Sequence, residues 1–323
     1  MNALINPGEE ARLGFAREVR RGLSASPRSL PARYFYDALG SALFEAICRL
    51  PWYGITRAEE GLLVAHAAEV FRRLQPLSTI VELGSGSGGK LRTFIVSGCP
   101  TAATLQVHLV DVSPTALEGA VRAISSLEQV RPVTHEAAYE TGLHEAARGR
   151  RSNGRALVLF LGSNIGNFDP PGANAFVRGI RAELREGDAL LLGADLIKPE
   201  RDLLLAYDDP LGVTAAFNRN LLVRINRELD GDFDLDRFAH RAIWNAAESR
   251  IEMHLVSRSA QRIRIAAAEL EFNMVDGELI WTESSYKYRL DDINRLLEPA
   301  GFRTAAQWID RQNGFALTLA EAV

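Results

Sequence analysis

Glu82, Gly84, Gly86, Gly88 and Gly89 fall within one short stretch, IVELGSGSGGK, in which an apolar run ends in glycines and Lys90 follows directly. A strand that breaks into glycines before a helix lets the backbone come close to a ligand, because no side chain holds it off. The acid inside the strand narrows the ligand. A carboxylate at Glu82 can orient the loop and hold a cationic group, whereas a pyrophosphate would meet a like charge there. Asp111 ends the next apolar run, LQVHLVDVS, where a carboxylate accepts hydrogen bonds from both ribose hydroxyls. Lys90 would pair with an anionic group of the ligand; its blander role is a solvated first-turn cation. These types and spacings point to a ribosyl cofactor with a charged end.

Two cofactor classes use such a loop. Gly84-x-Gly86-x-x-Gly89 has the spacing of dinucleotide sites, and Glu82-x-Gly84-x-Gly86-x-Gly88 has that of S-adenosylmethionine (SAM) methyltransferases. Glu82 favours SAM, while Asp111 serves either class. A tight turn that binds nothing is the third reading, and the two acids in register weigh against it.

A loop of this kind needs a parallel sheet behind it. STIVELGSG, LQVHLVDVS, RALVLFLGS and GDALLLGADLI read as strands, the third almost wholly apolar as a strand buried on both faces must be. Helical stretches at 113–128 and 171–185 lie between them, and Glu59 to Leu74 reads as an amphipathic helix. Alternation of this kind predicts right-handed crossovers and a Rossmann-like α/β sheet. An N-terminal helix is expected over 9–30, closed by Ser26-Pro27, and the aromatic-rich segment before Pro51 follows it. After Lys198 the pattern changes. Residues 200–229 are helical in character, and RIEMHLVSRSAQRIRIAAAELEF reads as an antiparallel hairpin with Ile251, Met253 and Leu255 on one face and Ile263 and Ile265 on another. A helix at 291–299, a break at Gly301 and the strand FALTLA return to the first sheet. The expected division is 61–198 plus 286–323 for the cofactor-binding domain, and 9–60 plus 199–285 for a second, smaller α+β domain.

Composition excludes several classes. With 37 Lys and Arg against 41 Asp and Glu, the net charge is −4, which gives nucleic acid little to bind. The basic run Arg148, Arg150, Arg151 and Arg155 is interrupted by Gly, Ser and Asn and reads as a solvated loop. Cys48 and Cys99 form no CxxC pair, and the six histidines have no HxxxH or HExxH spacing, so neither a disulfide framework nor a metal is expected. No apolar run reaches the ~20 residues of a membrane span, and Met1 to Glu10 lacks a leader pattern. The expectation is a cytoplasmic monomer with no membrane partner.

The segments YFYDALGSALFEAICRLPWY, FLGSNIGNF, AYDDPLGVTAAFNRN, NRELDGDFDLDRF, RIEMHLVS and LIWTESSYKY together resemble the histidine-specific Nα-methyltransferases of ergothioneine biosynthesis, from about residue 12 to the end. The resemblance implies trimethylation of the α-amine of L-histidine to hercynine with SAM, and a second domain that caps the substrate. By position it implies that Asn167 and Tyr207 meet the substrate carboxylate, since an amide and a phenol both donate to an anion. Glu283 and Ser285 would hold the imidazole and Met253 would pack on it. Tyr36, Phe44 and Tyr53 would surround an amine that gains permanent charge, with Tyr36 orienting the nitrogen, and Gly162 would let the backbone approach it. Where that family carries an Asp-Phe pair for adenine, this chain has Ala138-Tyr139: Tyr139 can stack on the ring, but Ala138 has no acceptor. Its glycine loop reads GSGGK where a hydroxyl residue and an acid are more usual, and Gly54 replaces a common tyrosine.

Each residue also has a plainer role. The aromatics and Met253 suit an ordinary core, Asn167 suits a helix cap, and Glu283 suits a solvent-facing strand position. Three functions stay open at this level: methylation of histidine, methylation of another amino acid or amine, and, in a different class, an NAD-binding oxidoreductase or a SAM-binding module without catalysis. Retention of Glu283 and Ser285 argues for histidine, and no residue presents itself as a nicotinamide partner.

Overall fold

The computed structural model describes residues 7–100 and 104–323. Residues 1–6, on which the leader reading partly rests, lie outside the described residues. The chain forms two compact units, one of Met1–Tyr53 with Pro199–Ser285 and one of Gly54–Lys198 with Tyr286–Val323.

The first unit opens with α1 (Pro7–Ser24), a two-residue strand β1 (Arg28–Ser29) and α2 (Ala38–Cys48). Asp37 starts α2 by accepting from the Gly40 N–H at 2.7 Å. The second unit follows as α3 (Gly54–Arg73), β2 (Leu77–Leu83), α4 (Gly89–Gly98), β3 (Leu105–Asp111), α5 (Pro114–Ile124), β4 (Val130–Glu136), α6 (Tyr139–Gly149), β5 (Arg155–Phe160), α7 (Pro170–Glu183) and β6 (Ala189–Asp195). The chain returns to the first unit with α8 (Glu200–Tyr207), α9 (Val213–Leu229), β7 (Phe238–Asn245), β8 (Arg250–Ser257), β9 (Gln261–Ile265), β10 (Leu270–Met274) and β11 (Leu279–Tyr286). It ends in the second with α10 (Leu290–Leu297), β12 (Phe302–Asp310) and β13 (Phe315–Ala322).

The sheet of the second unit has seven strands in the order β12-β13-β6-β5-β2-β3-β4. β4, β3, β2, β5 and β6 are mutually parallel, and β13 joins β6 antiparallel, as the return of FALTLA to this sheet requires. β5 and β6 are buried from Ala156 and Ala189 onward, the mark of central strands covered on both faces. Val81, Leu83, Val110, Phe160, Leu192, Val177 and Ile180 form one side of the core. β2 feeds β3 and β4 on one side, while β5 and β6 lie on its other side. The order therefore reverses between β2 and β5, and α/β sheets bind ligands beyond the carboxyl ends of the strands at such a point.

The first unit carries a four-stranded sheet in the order β1-β11-β8-β7 and a separate pair, β10-β9. The hairpin expected from 250–272 is not formed. β8 pairs with β7, from Asn245↔Arg250 to Phe238↔Ser257, and β9 pairs with β10. Two further expectations are corrected. α1 stops at Ser24, and Arg28–Ser29 pairs parallel with Ile280–Trp281. The units divide after Tyr53 and not at residue 60, because 54–73 is one helix that belongs to the sheet unit. Among the described residues no helix is long and apolar enough to cross a membrane.

Candidate active site

The loop after β2 is held by its own backbone. The N–H of Gly84 donates to the Val110 carbonyl at 2.8 Å, and the N–H of Gly86 donates to Asp111 Oδ2 at 3.2 Å. Asp111 Oδ1 also accepts from the Ser113 N–H at 2.9 Å, and Ser113 in turn caps α5. The Asp111 carboxylate thus ties the glycine loop to the next helix start, at the carboxyl end of β3. Gly84 has φ 78°, and a Cβ there would lie 3.1 Å from Tyr139 Oη and 3.2 Å from Asn164 Nδ2. At Gly88, φ 72°, a Cβ would press on Ala120 of α5 at 2.6 Å. The Cβ direction of Gly86, by contrast, meets nothing within 4 Å. Glycine is needed at Gly84 and Gly88 for both conformation and packing, and at Gly86 the loop opens outward.

Glu82 is 3% exposed, and its Oε2 has no hydrogen-bond partner. Burial pushes its carboxyl up to about 8; Lys90 opposes that rise, and Glu59 and Asp111 add to it. A cation beside this carboxyl would favour its charged form. Tyr139 sits edge-on to Phe160 at 5.4 Å and against Phe176 at 5.8 Å, and burial raises its phenol. Ala138 is the residue before α6 and makes no side-chain cap bond.

Across the switch point, β5 ends and the chain turns through Gly162, φ 75°, and Ser163, φ 59°, into a short 3-10 helix, Asn164–Asn167. Gly162 faces Lys90, whose Nζ would lie 3.4 Å from a Cβ there. Asn167 is exposed at the end of this turn. It does not cap α7; Asp169 does, accepting from the Gly172 N–H at 2.8 Å. Glu82, Gly84, Gly86, Lys90, Asp111, Tyr139, Gly162 and Asn167 therefore all lie in the sheet unit, at the carboxyl ends of β2 and β3, on the loops beyond β2 and β5, or at the start of α4 and α6.

The first unit gathers another set. Tyr36 meets Phe44 edge-on at 5.7 Å, Phe44 meets Tyr53 at 6.4 Å, and Tyr53 meets Tyr207 at 6.3 Å. Tyr207 Oη is 2.8 Å from Ser285 Oγ, a buried hydrogen bond between residues 78 apart in sequence. Residues from α2, α8 and β11 and the turns beside them thus form one continuous cluster. Glu283 is half-buried two residues before Ser285 on β11, and its carbonyl accepts from Trp281 Nε1 at 2.8 Å. Met253 is 2% exposed on β8, and its carbonyl accepts from Thr282 Oγ1 of β11 at 2.9 Å.

Four participants escape sequence reasoning. Phe217 of α9 packs on both Tyr36, at 5.8 Å, and Phe44, at 6.0 Å. Asn164 lies beside Gly84 and Gly162. His240 Nε2, 2.7 Å from the Tyr207 carbonyl, fixes that residue's backbone. Glu59, fully buried on α3, reaches Lys90. Only Phe217 and Asn164 leave a signal, as an aromatic and an amide within AYDDPLGVTAAFNRN and FLGSNIGNF. Among the described residues no three His, Cys, Asp or Glu are grouped to hold a metal ion.

Comparison with known proteins adds what geometry cannot. The chain matches the family of SAM-dependent, histidine-specific methyltransferases over residues 15–322. It is similar to the histidine N-alpha-methyltransferase of Mycolicibacterium smegmatis, 42% identical over 313 residues that cover 97% of this chain and 96% of that protein. The protein of the same name from Mycobacterium tuberculosis is 42% identical over 317 residues, 97% of each chain. A 4-dimethylallyltryptophan N-methyltransferase of Epichloe festucae var. lolii is 26% identical over 313 residues, 90% of each. Agreement that extends over almost every residue, and not over the glycine loop alone, settles the family: this chain belongs to the SAM-dependent, histidine-specific methyltransferases.

Proposed function

We propose that this chain methylates the α-amine of L-histidine through to the trimethylated product, hercynine. What carries the reading is the cluster Tyr36–Phe44–Tyr53–Tyr207–Ser285, in a chain 42% identical to histidine Nα-methyltransferases. The SAM cofactor supplies a methyl group activated on a sulfonium. The sheet unit fits it: Glu82 offers a buried carboxyl oxygen without a partner, Gly86 leaves open space, and Asp111 suits the ribose. Lys90 would take the ligand carboxylate and Tyr139 the adenine face, with Ala138 contributing no acceptor.

For the substrate, Asn167 and Tyr207 would hold the carboxylate, Glu283 and Ser285 the imidazole, and Met253 the apolar face of the ring. Tyr36 would orient the amine, with Gly162 beside it. Phe44 and Tyr53 would offer π-faces, which stabilise a nitrogen whose charge becomes permanent as methyls accumulate. The amine gives up its proton before it reacts, so alignment supplies the rate and no strong base is required.

The test is incubation with SAM and a pool of amino acids that includes tryptophan, read by mass spectrometry. Histidine carrying one, two and three methyl groups is the expected outcome. Methylation of tryptophan or another amino acid with histidine untouched would replace the substrate assignment and keep the chemistry.

A further inference from the structure

A buried carboxylate joins the two halves of the methyl-donor site. Glu59 is 0% exposed, although it lies in the first half of α3 next to Glu60. Its two oxygens accept from the Gly162 N–H at 2.8 and 2.9 Å, and Oε2 is 2.6 Å from Lys90 Nζ. The space it occupies is reserved for it: a Cβ on Gly193, in the middle of β6, would collide with Glu59 Oε1. Three elements, the loop after β5, the first turn of α4 and the interior of β6, are thus shaped around one charge. Burying a carboxylate is costly unless it is paired and hydrogen-bonded, and a neutral Gln or an apolar residue would fill a mere packing position. The contacts that offset the cost are made to Gly162 and Lys90, which stand on opposite sides of the switch point between β2 and β5.

We propose that Glu59 is a positioning residue of the methyl-donor site, which holds Lys90 through charge and Gly162 through hydrogen bonding. The inference rests on the reading of Lys90 and Gly162 given above. Its two arms separate by chemistry. Gln at position 59 keeps an oxygen for the Gly162 N–H but turns an amide NH2 or a neutral oxygen toward the Lys90 ammonium. Ala removes both partners.

The test measures S-adenosylhomocysteine affinity by calorimetry, together with kcat and KM for histidine, in the wild-type chain, Glu59→Gln, Glu59→Ala, Lys90→Met and the double variant Glu59→Gln/Lys90→Met. Glu59→Gln should weaken the ligand about tenfold, the loss expected for a displaced charge-assisted partner, with the KM for histidine within about threefold of wild type. Glu59→Ala should weaken the ligand similarly and also lower kcat by about tenfold or more. If Glu59 acts through Lys90, Glu59→Gln adds less than about twofold to the ligand loss in the Lys90→Met background. The double variant carries no unpaired buried charge, so it reports even where a single variant fails to fold. Wild-type affinity and turnover in folded Glu59→Gln and Glu59→Ala, or fully additive losses in the double variant, would overturn the proposal. A wild-type chain that binds no S-adenosylhomocysteine would instead overturn the reading of the site itself.

Discussion

The hydroxyl pair of Tyr207 and Ser285 restricts how an imidazole can be held. Each hydroxyl has one hydrogen, and one of the two is spent on the 2.8 Å bond between them. If the phenol donates to a substrate carboxylate, Ser285 must donate to the phenol, and its oxygen then accepts from the ring. In the proposed site Glu283 would accept from the ring as well, so the imidazole would present an N–H on each side and be bound protonated. We therefore expect the KM for histidine to rise with pH through about 6.5, the range in which a free imidazole loses its proton. Tyr207→Phe removes the phenol and returns the Ser285 hydrogen to the ring, so neutral imidazole is accepted; it should raise KM at pH 6 and flatten its pH dependence. Steady-state kinetics between pH 6 and 8 decide this. A KM independent of pH in the wild-type chain would mean that Ser285 donates to the ring and that Tyr207 does not serve the carboxylate.

At the level of elements, β3, β4 and α6 are connected by a histidine pair with a defined proton. Glu145 of α6 can only accept from His135 Nδ1, at 2.9 Å, so with His135 neutral its Nε2 accepts from His108 Nδ1 at 2.8 Å. That leaves His108 Nε2 buried, unprotonated and without a hydrogen-bond partner. Burial, reinforced by His135, lowers His108 to about 4. An unfolded chain protonates this imidazole near 6.5, so the folded pKa is the depressed one. The stability it contributes is complete above about 6.5 and is lost as pH falls toward 4, on the order of 3 kcal/mol in all. His108→Gln should therefore lose less Tm than wild type between pH 7 and pH 5 in calorimetry, whatever its Tm at pH 7. Equal slopes would mean that His108 is solvated in the native state. The same elements show what the sequence made legible. β2, β3, β5 and β6 were readable because a strand covered on both faces is a continuous apolar run. β4 was not: it is an edge strand, largely exposed, with Pro132 where no neighbour needs its missing N–H. β7 leaves no such run because most of its residues are only half-buried, and without it the sequence offers β8 only the following strand as a neighbour. Glu59 reads as an ordinary first-turn acid, since an inward-facing charge has no local signature and its partners lie 31 and 103 residues away.

At the scale of the whole molecule, each unit is built from two separated stretches of chain, so ligand-induced stabilisation reports on the folded assembly and on no isolated fragment. A ligand that binds only the native state adds RT ln(1 + [L]/Kd), about 2.7 kcal/mol at one hundred times Kd. S-adenosylhomocysteine at that concentration should raise the Tm of the wild-type chain, and NAD should not, because its pyrophosphate offers the buried Glu82 carboxyl no cation to pair with. Asp111→Ala removes the acceptor proposed for the ribose, a loss of about 1.5–3 kcal/mol, or roughly 10- to 150-fold in affinity. At a hundredfold loss the same ligand concentration equals the new Kd, and the stabilisation falls to about 0.4 kcal/mol. The variant also frees the N–H groups of Gly86 and Ser113 from their carboxylate acceptor, so its Tm without ligand will be lower from the outset. The informative quantity is thus the increment caused by the ligand, measured for each protein against its own unliganded baseline. An increment in Asp111→Ala equal to that of the wild-type chain would show that this carboxylate only braces the glycine loop, and the ribose would have to be held elsewhere.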